Sequence, residues 1–168
     1  MYKLLIVDDE AIERDGMANL IPWQAYGVEL VGTAWNGMDG YEKIEALHPD
    51  IVLTDIKMPV MNGIELIRKT KYKFPDIEFL ILSGYGEYEF TSQAMEEGVR
   101  HYILKPCDEA KIVEVLDKVK AEIDGRREQT KKEAEVRWLM PRVKEQIFRN
   151  LLLGRASLDE DYRRFLME

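Results

Sequence analysis

Short apolar runs alternate with longer amphipathic stretches along the first 123 residues of the chain. The apolar runs are rich in branched side chains and are bounded by turn-forming residues, which predicts β-strands. The longer stretches repeat apolar positions at helical spacing, which predicts α-helices between the strands. We predict strands near residues 3–7, 28–34, 51–54, 77–82 and 101–104, and helices near 10–21, 37–47, 62–73 and 87–97.

This alternation of strands and helices indicates an α/β fold with a parallel sheet as its central layer. Residues 4–7, 51–53 and 79–82 are continuously apolar, as expected for strands that are covered on both faces. Right-handed crossover connections leave few topologies for five such strands. We predict a doubly wound, flavodoxin-like sheet with the strand order 2-1-3-4-5 and a ligand crevice between strands 1 and 3.

A fifth helix is predicted to begin near Asp108, whose side chain suits the N-cap position. Gly125 is predicted to end this helix. The helix carries an apolar stripe that is expected to pack on the sheet, formed by Ile112, Val115, Leu116, Val119 and Ile123.

Residues 124–168 are predicted to form a C-terminal helical extension to the domain of residues 1–123, either as a linker or as the start of a further region that continues beyond residue 168. Residues 126–137 are polar and rich in helix formers, which indicates a solvated helix or a linker. A short amphipathic stripe follows Pro141 and ends at Gly154. Its apolar members are Val143, Ile147, Leu151 and Leu152.

Composition and charge restrict the classes of function. The formal net charge is −8, from 24 Lys and Arg and 32 Asp and Glu, and the acidic excess lies before residue 126. An acidic domain argues against direct nucleic-acid binding by that domain and permits cation binding. One cysteine, Cys107, excludes an intrachain disulfide and fits a cytoplasmic location. The N-terminus does not read as a signal peptide, and the apolar runs are too short to cross a membrane.

Polar side chains follow four of the predicted strands at the point where each strand ends. Asp8 and Asp9 follow the first strand, Asp55 the third, Ser83 the fourth and Lys105 the fifth. Because the carboxyl ends of parallel strands meet at one edge of the sheet, sites form there. Three neighbouring carboxylates favour a bound cation, and oxygen ligands with room for water and phosphate suit Mg²⁺.

Ser83 and Lys105 indicate the class of substrate. A hydroxyl, an ammonium and a metal ion can together neutralise a phosphoryl group. The nucleophile would then be a carboxylate, and Asp55 is best placed to form the acyl phosphate. Taken singly, each residue also has a structural explanation: Asp8 and Asp9 as helix caps, Lys105 as an ion-pair partner and Ser83 as a turn residue.

Over about residues 1–123 the chain resembles the receiver domain of two-component response regulators. The resemblance implies that Asp55 accepts a phosphoryl group from a sensor histidine kinase in a Mg²⁺-dependent reaction. It also implies that the chain catalyses only its own phosphorylation and dephosphorylation and is otherwise a signalling protein, not an enzyme. The matching motifs are Asp8-Asp9-Glu10, Asp55 with Met58-Pro59 and Asn62-Gly63, Ser83-Gly84, and Tyr102-Ile-Leu-Lys105-Pro106.

The resemblance implies a ligand set for the metal ion. Asp9 and Asp55 would bind Mg²⁺ directly, Asp8 would bind it through water, and Lys57 would bind it through its backbone carbonyl. The peptide bond from Lys105 to its following proline is expected to be cis, an isomer that proline makes accessible.

The resemblance also implies which residues respond to phosphorylation. Lys105 would contact the phosphoryl group, Ser83 would move toward it, and Tyr102 would rotate as the switch aromatic. Lys57 and Tyr85 are expected to tune the phosphoryl lifetime, because each lies two residues after a site residue and flanks the path of an attacking water.

Other segments resemble regulators with an AraC-type helix-turn-helix output domain. Such regulators continue well beyond residue 168, and this sequence shows no helix-turn-helix, so DNA binding is expected only through an output domain outside it. The stripe after Pro141 suggests a homodimer as a further partner state. The matching segments are Ile21-Pro-Trp23, Ser83-Gly-Tyr85 with Glu87-Tyr88, and residues 148–154.

Three other functions fit parts of the pattern. A hydrolase of the haloacid-dehalogenase type also uses a carboxylate nucleophile, but it needs a second Asp two residues later, where this chain has Lys57. A flavin- or nucleotide-binding module needs a Gly- or hydroxyl-rich loop after the first strand, where this chain has three acids. A pseudo-receiver that acts by protein contact alone would not need the full set of site residues.

Overall fold

Five parallel strands form the central sheet of the computed structural model, which describes residues 1–84 and 88–152. The strands are β1 (Tyr2–Val7), β2 (Val28–Ala34), β3 (Ile51–Asp55), β4 (Glu78–Ser83) and β5 (His101–Leu104). Their order across the sheet is β2-β1-β3-β4-β5, which confirms the predicted topology.

Helices connect the strands in the predicted order. They are α1 (Ala11–Leu20), α2 (Gly37–Leu47), α3 (Gly63–Lys73), α4 (Tyr88–Glu96) and α5 (Glu109–Leu152), and a short 3₁₀ helix (Trp23–Tyr26) follows α1. The chain divides into two compact units, Met1–Ile123 and Asp124–Glu168. In the described part of the chain, no helix has an apolar stretch long enough to cross a membrane.

Apolar side chains cover both faces of the sheet in the first unit. Residues 4–7, 51–53 and 79–82 are at most 1% exposed, which confirms that these strands are buried on both sides. Successive residues of a strand face opposite sides, so alternate positions enter two separate clusters. One cluster joins the sheet to α2, α3 and α4; the other joins it to Trp23 and to the predicted stripe of α5 up to Ile123.

Side-chain caps fix where three helices begin. The Asn36 side chain accepts a hydrogen bond from Asp39 N at the start of α2. Asn62 and Glu65 form a reciprocal capping box at the start of α3. Asp108 accepts a hydrogen bond from the backbone N–H of the third residue after it, which confirms it as a cap of α5. These caps set the entry of each helix next to the carboxyl edge of the sheet.

The prediction that Gly125 ends the fifth helix is wrong. The helix α5 continues through Gly125 and through Pro141 to Leu152. Gly125 does not adopt the left-handed backbone that a terminating glycine uses, whereas Gly27 and Gly98 have positive φ. A glycine inside a helix costs only about 1 kcal/mol relative to alanine, and the good helix formers that follow outweigh this cost.

The described part of the second unit, residues 124–152, is helical and exposes several large apolar side chains. They are Val136, Trp138, Leu139, Val143 and Phe148. Pairs four residues apart, such as Lys132 with Glu128 at 2.8 Å, support the helix on its polar side. The side chains of Ile147, Leu151 and Leu152, together with Gly154, lie outside what the structure describes.

Gly63 holds the start of α3 against the end of β3. Its N–H donates a 2.8 Å hydrogen bond to the Ile56 carbonyl, and an added Cβ would collide with the Asp55 carbonyl. Gly63→Ala should therefore lower the free energy of unfolding by about 1–3 kcal/mol, measured by urea denaturation. Gly16→Ala is the matched control: the space around Gly16 in α1 is open within 4 Å, so stability should rise by about 0.5–1 kcal/mol. Equal stability of Gly63→Ala and the parent would contradict this account of the close approach.

Candidate functional site

The carboxyl edge of the sheet brings together four of the predicted site residues. Asp8 follows β1, Asp55 ends β3, Ser83 ends β4 and Lys105 follows β5. The register of the sheet pairs Asp55 with Leu82, the residue before Ser83. The backbone N–H of Lys105 donates a 2.7 Å hydrogen bond to the Ser83 carbonyl, which ties the two neighbouring strand ends together. The peptide bond after Lys105 is cis, as expected.

The Lys105 ammonium is the centre of this edge. Its Nζ lies 2.9 Å from Asp55 Oδ1 and 3.3 Å from Asp8 Oδ2. A third carboxylate, Glu13, is closer still, with Oε2 at 2.6 Å. One positive charge therefore contacts three carboxylates, and the lysine side chain that carries it is only 19% exposed.

The sequence analysis did not identify Glu13. Glu13 lies in the first turn of α1, three residues after the N-cap position at Glu10. A usable signal was present, because a helix that begins directly after a strand end directs its first turn toward the same sheet edge. Only the packing of α1 determines which side chain of that turn reaches Lys105.

Asp8 is a fully buried carboxylate. Its Oδ1 accepts a 2.8 Å hydrogen bond from Glu10 N, and its Oδ2 faces Lys105. Burial raises the pKa of Asp8 above its ordinary value of 3.8, and this effect exceeds the lowering by the Glu10 hydrogen bond and the lysine charge. The N-cap residue of α1 is Glu10, whose side chain makes no capping hydrogen bond; Asp8 contacts the start of the helix only through the N–H of Glu10.

Lys105 shows the opposite balance. Burial lowers the pKa of its ammonium, but hydrogen bonds to Glu13 and Asp55, with the charges of Asp55 and Asp8, raise it above the ordinary value overall. Lys105 is therefore firmly cationic at neutral pH, and it remains a fixed positive charge at the sheet edge.

Asp55 is positioned through both carboxylate oxygens. Oδ1 contacts the Lys105 ammonium, and Oδ2 accepts a 3.1 Å hydrogen bond from Lys57 N. The side chain retains 12% exposure, so the carboxylate can be reached from solvent. The Ser83 side chain next to it is buried, and its hydroxyl makes a long 3.4 Å hydrogen bond to the Gly84 carbonyl.

Other predicted site residues lie at the surface. Asp9 and the Lys57 side chain are exposed, and Lys57 Nζ lies 5.8 Å from the centre of the Phe90 ring. The Tyr102 side chain is 45% exposed on β5, where the flanking residues of the strand are buried. Tyr85 lies outside the described residues.

The donor chemistry of this edge fits Mg²⁺. Asp8 and Asp55 already share one cation, the Lys105 ammonium, and carboxylate oxygens are the ligands that Mg²⁺ prefers. The positive charge of a metal ion would also offset the effect of burial, which disfavours the charged form of Asp8. Across residues 1–84 and 88–152, no group of three or more His, Cys, Asp and Glu side chains is arranged as a metal site. Asp9 is exposed, whereas Asp8 and Asp55 are buried.

Comparison with protein families adds a family match to this geometry. Residues 4–117 match the model of the response regulator receiver domain. The uncharacterized transcriptional regulatory protein YesN of Bacillus subtilis is 43% identical over 162 residues, which cover 94% of this chain and 44% of that protein. The transcriptional regulatory protein HptR of Staphylococcus aureus is 34% identical over 119 residues, 71% of this chain and 46% of HptR. The chain thus spans less than half the length of these relatives.

Solved structures show the same fold. The REC domain of AraT, a response regulator from Geobacillus stearothermophilus, has a TM-score of 0.70 at 32% identity, over 75% of this chain and 98% of that one. A two component transcriptional regulator AraC from Clostridium phytofermentans has a TM-score of 0.70 at 30% identity, over 76% and 98%.

The buried charge of Asp8 predicts a stabilising substitution. Asp8→Asn should raise the melting temperature in metal-free buffer at pH 7 by roughly 2–6 °C, because it removes the charge and keeps an oxygen for Glu10 N. Asp9→Asn is the matched control and should change the melting temperature by less than about 1 °C, since Asp9 is exposed.

The advantage of Asp8→Asn should depend on pH. A folded-state pKa above the unfolded value gives a stabilising contribution that is complete below the unfolded pKa and is lost as pH rises through the folded pKa. In thermal scans without metal, the melting temperature of the parent should therefore decrease relative to that of Asp8→Asn as pH rises from 3.8 upward. A constant difference across that range, or a lower melting temperature for the variant, would contradict the buried-charge account.

Proposed function

The chain belongs to the response regulator receiver domain family, and we propose that it accepts a phosphoryl group on Asp55 and so controls a transcriptional output. The observation that supports this most directly is the 2.9 Å contact between Asp55 Oδ1 and the Lys105 ammonium at the carboxyl edge of the sheet. A carboxylate held beside a fixed cation, and still reachable from solvent, can take up a phosphoryl group whose charge the cation then neutralises.

The proposed reaction is a phosphoryl transfer to a carboxylate oxygen. An oxygen of Asp55 forms a bond to phosphorus while the bond from phosphorus to the leaving atom of the donor breaks, and the leaving group keeps the electron pair. Lys105 donates hydrogen bonds to the phosphoryl oxygens, and Lys57 N keeps the carboxylate oriented through Oδ2. When bound, Mg²⁺ supplies further positive charge to these oxygens.

The residues proposed to hold Mg²⁺ are Asp9 and Asp55 directly, Asp8 through water, and Lys57 through its carbonyl. Asp8 and Asp55 are supported by their shared contact with one cation. Asp9 follows Asp8 directly in the chain, just after the end of β1, and its side chain is exposed. The chain catalyses its own phosphorylation and dephosphorylation and acts otherwise by binding other proteins.

Ser83 and Tyr102 are the proposed switch residues. The Ser83 hydroxyl makes a long 3.4 Å hydrogen bond to the Gly84 carbonyl, and it lies at the end of the strand beside Asp55, from where it would turn toward a phosphoryl group on Asp55. Tyr102 is 45% exposed on β5. Their response would alter the surface near Phe90 and Tyr102; the side chain of Tyr88 in the same region is not described.

The proposed partners follow from the family and from the length of the relatives. The phosphoryl donor is a sensor histidine kinase, and the proposed location of this chain is the cytoplasm. The proposed role of residues 124–168, of which residues 124–152 are helical, is that of a linker toward an output domain, and DNA would be bound through that domain alone. The exposed apolar side chains of residues 136–148 support a homodimer as one state of the second unit.

Phosphorylation at Asp55 has a direct test. Incubation with acetyl phosphate and Mg²⁺ should add one phosphate, measured by mass spectrometry of the intact protein, and a chelator should prevent the addition. Asp55→Asn should abolish the labelling. Asp76→Asn, at an exposed position before β4 on the opposite edge, is the matched control and should label like the parent. Undiminished labelling of Asp55→Asn would refute the assignment.

Tyr85 should slow the loss of the phosphoryl group. A bulky side chain two residues after Ser83 would shield the acyl phosphate from water, so Tyr85→Ala should dephosphorylate at least about twofold faster. Tyr72→Ala is the control, because Tyr72 is 95% exposed on α3 and should not affect the lifetime. The measurement is the decay of phosphorylated protein after removal of the donor, and equal or slower decay of Tyr85→Ala would remove the shielding role.

A further inference from the structure

Glu13 is the third carboxylate on the Lys105 ammonium, and the family motifs give it no role. Its 2.6 Å contact is the shortest of the three that Lys105 makes with carboxylates. Its side chain is 41% exposed, against 12% for Asp55 and 0% for Asp8. Glu13 is therefore the partner of Lys105 that water can replace most readily.

The hydrogen-bonding capacity of Lys105 is full in this state. A lysine ammonium has three N–H donors. Contacts with Asp8, Asp55 and Glu13 use all three. A phosphoryl group on Asp55 can gain a hydrogen bond from Lys105 only if one of these three carboxylates gives up its own.

Asp8 and Asp55 are poorly suited to give up Lys105. Asp8 is buried and held through Oδ1 by Glu10 N, and Asp55 is held through Oδ2 by Lys57 N. Loss of a partner from a buried carboxylate is costly because water cannot take its place. An exposed ion pair contributes little net free energy, so breaking the Glu13 contact costs the least.

We propose that Glu13 competes with the phosphoryl group for Lys105 and thereby slows phosphorylation of Asp55. Before phosphorylation, Glu13 occupies one N–H of the ammonium. As the phosphoryl group arrives, that N–H turns to a phosphoryl oxygen and the Glu13 side chain turns to water. Glu13 forms and breaks no covalent bond, so it is a positioning residue. This inference rests on the proposed function and names a regulator of the same site.

The first test compares two variants with the same change of charge on α1. Glu13→Gln should raise the rate of labelling by acetyl phosphate with Mg²⁺ roughly two- to fivefold, mainly through a lower half-saturating donor concentration. Asp15→Asn is the matched control: Asp15 is exposed, and its ion pair is with Arg14 at 3.6 Å. It should label at the parent rate.

A second test shows whether Glu13 acts through Lys105. In a Lys105→Met background, Glu13→Gln should lose its advantage, because the competition no longer exists. Repulsion of the anionic donor by Glu13 would instead give the same gain in both backgrounds. Hydrogen exchange of the Lys105 ammonium, followed by NMR in metal-free protein, should be faster in Glu13→Gln than in Asp15→Asn. Where Lys105→Met is labelled too slowly for a comparison of rates, this exchange measurement is the test.

The outcomes separate the inference from the proposed function. A parent protein that takes up no phosphate would overturn the proposed function and this inference with it. A parent that is labelled, with Glu13→Gln equal to Asp15→Asn or slower, would overturn the inference alone. An equal gain with and without Lys105, or unchanged exchange of the ammonium, would likewise overturn the competition for Lys105.

Discussion

The contact between the Lys105 ammonium and the carboxylates of Asp8 and Asp55 is the interaction on which the functional edge depends. Asp8 is fully buried, so its charge is tolerated only because a hydrogen bond and a cation compensate for part of the lost hydration. The three groups follow β1, β3 and β5, and they meet because parallel strands end at the same edge. Without the ammonium, two carboxylates would face each other with little access to water.

The backbone around the cluster keeps these groups in place. The Ser83 carbonyl accepts a hydrogen bond from the N–H of Lys105, and the N–H of Lys57 donates one to Asp55 Oδ2. A 3.0 Å hydrogen bond from Gly37 N to the Met61 carbonyl joins the first residue of α2 to the loop that precedes α3. The site residues thus lie at the ends of rigid strands, where small side-chain changes are sufficient to exchange one partner of Lys105 for another.

The cluster at the sheet edge contains more carboxylates than cations, which disfavours the metal-free folded state. Three carboxylates around one ammonium leave an excess of negative charge in the metal-free state, and burial separately raises the pKa of Asp8. The same excess prepares the edge for a divalent cation. Glu13 adds to the excess from the exposed side of the cluster, where its contact with Lys105 can be exchanged at small cost.

Patterns in the amino-acid sequence were sufficient to predict the elements, the topology and the positions of the main site residues. Apolar runs mark strands buried on both faces, right-handed crossovers limit their order, and Asp8, Asp55 and Lys105 follow from where those strands end. Three features could be seen only in the folded chain: Asp8 is buried while Asp9 is exposed, Glu13 reaches Lys105, and α5 continues past Gly125. Local patterns specify which face of an element is apolar and where a strand ends, but contacts between side chains of different elements depend on how those elements pack.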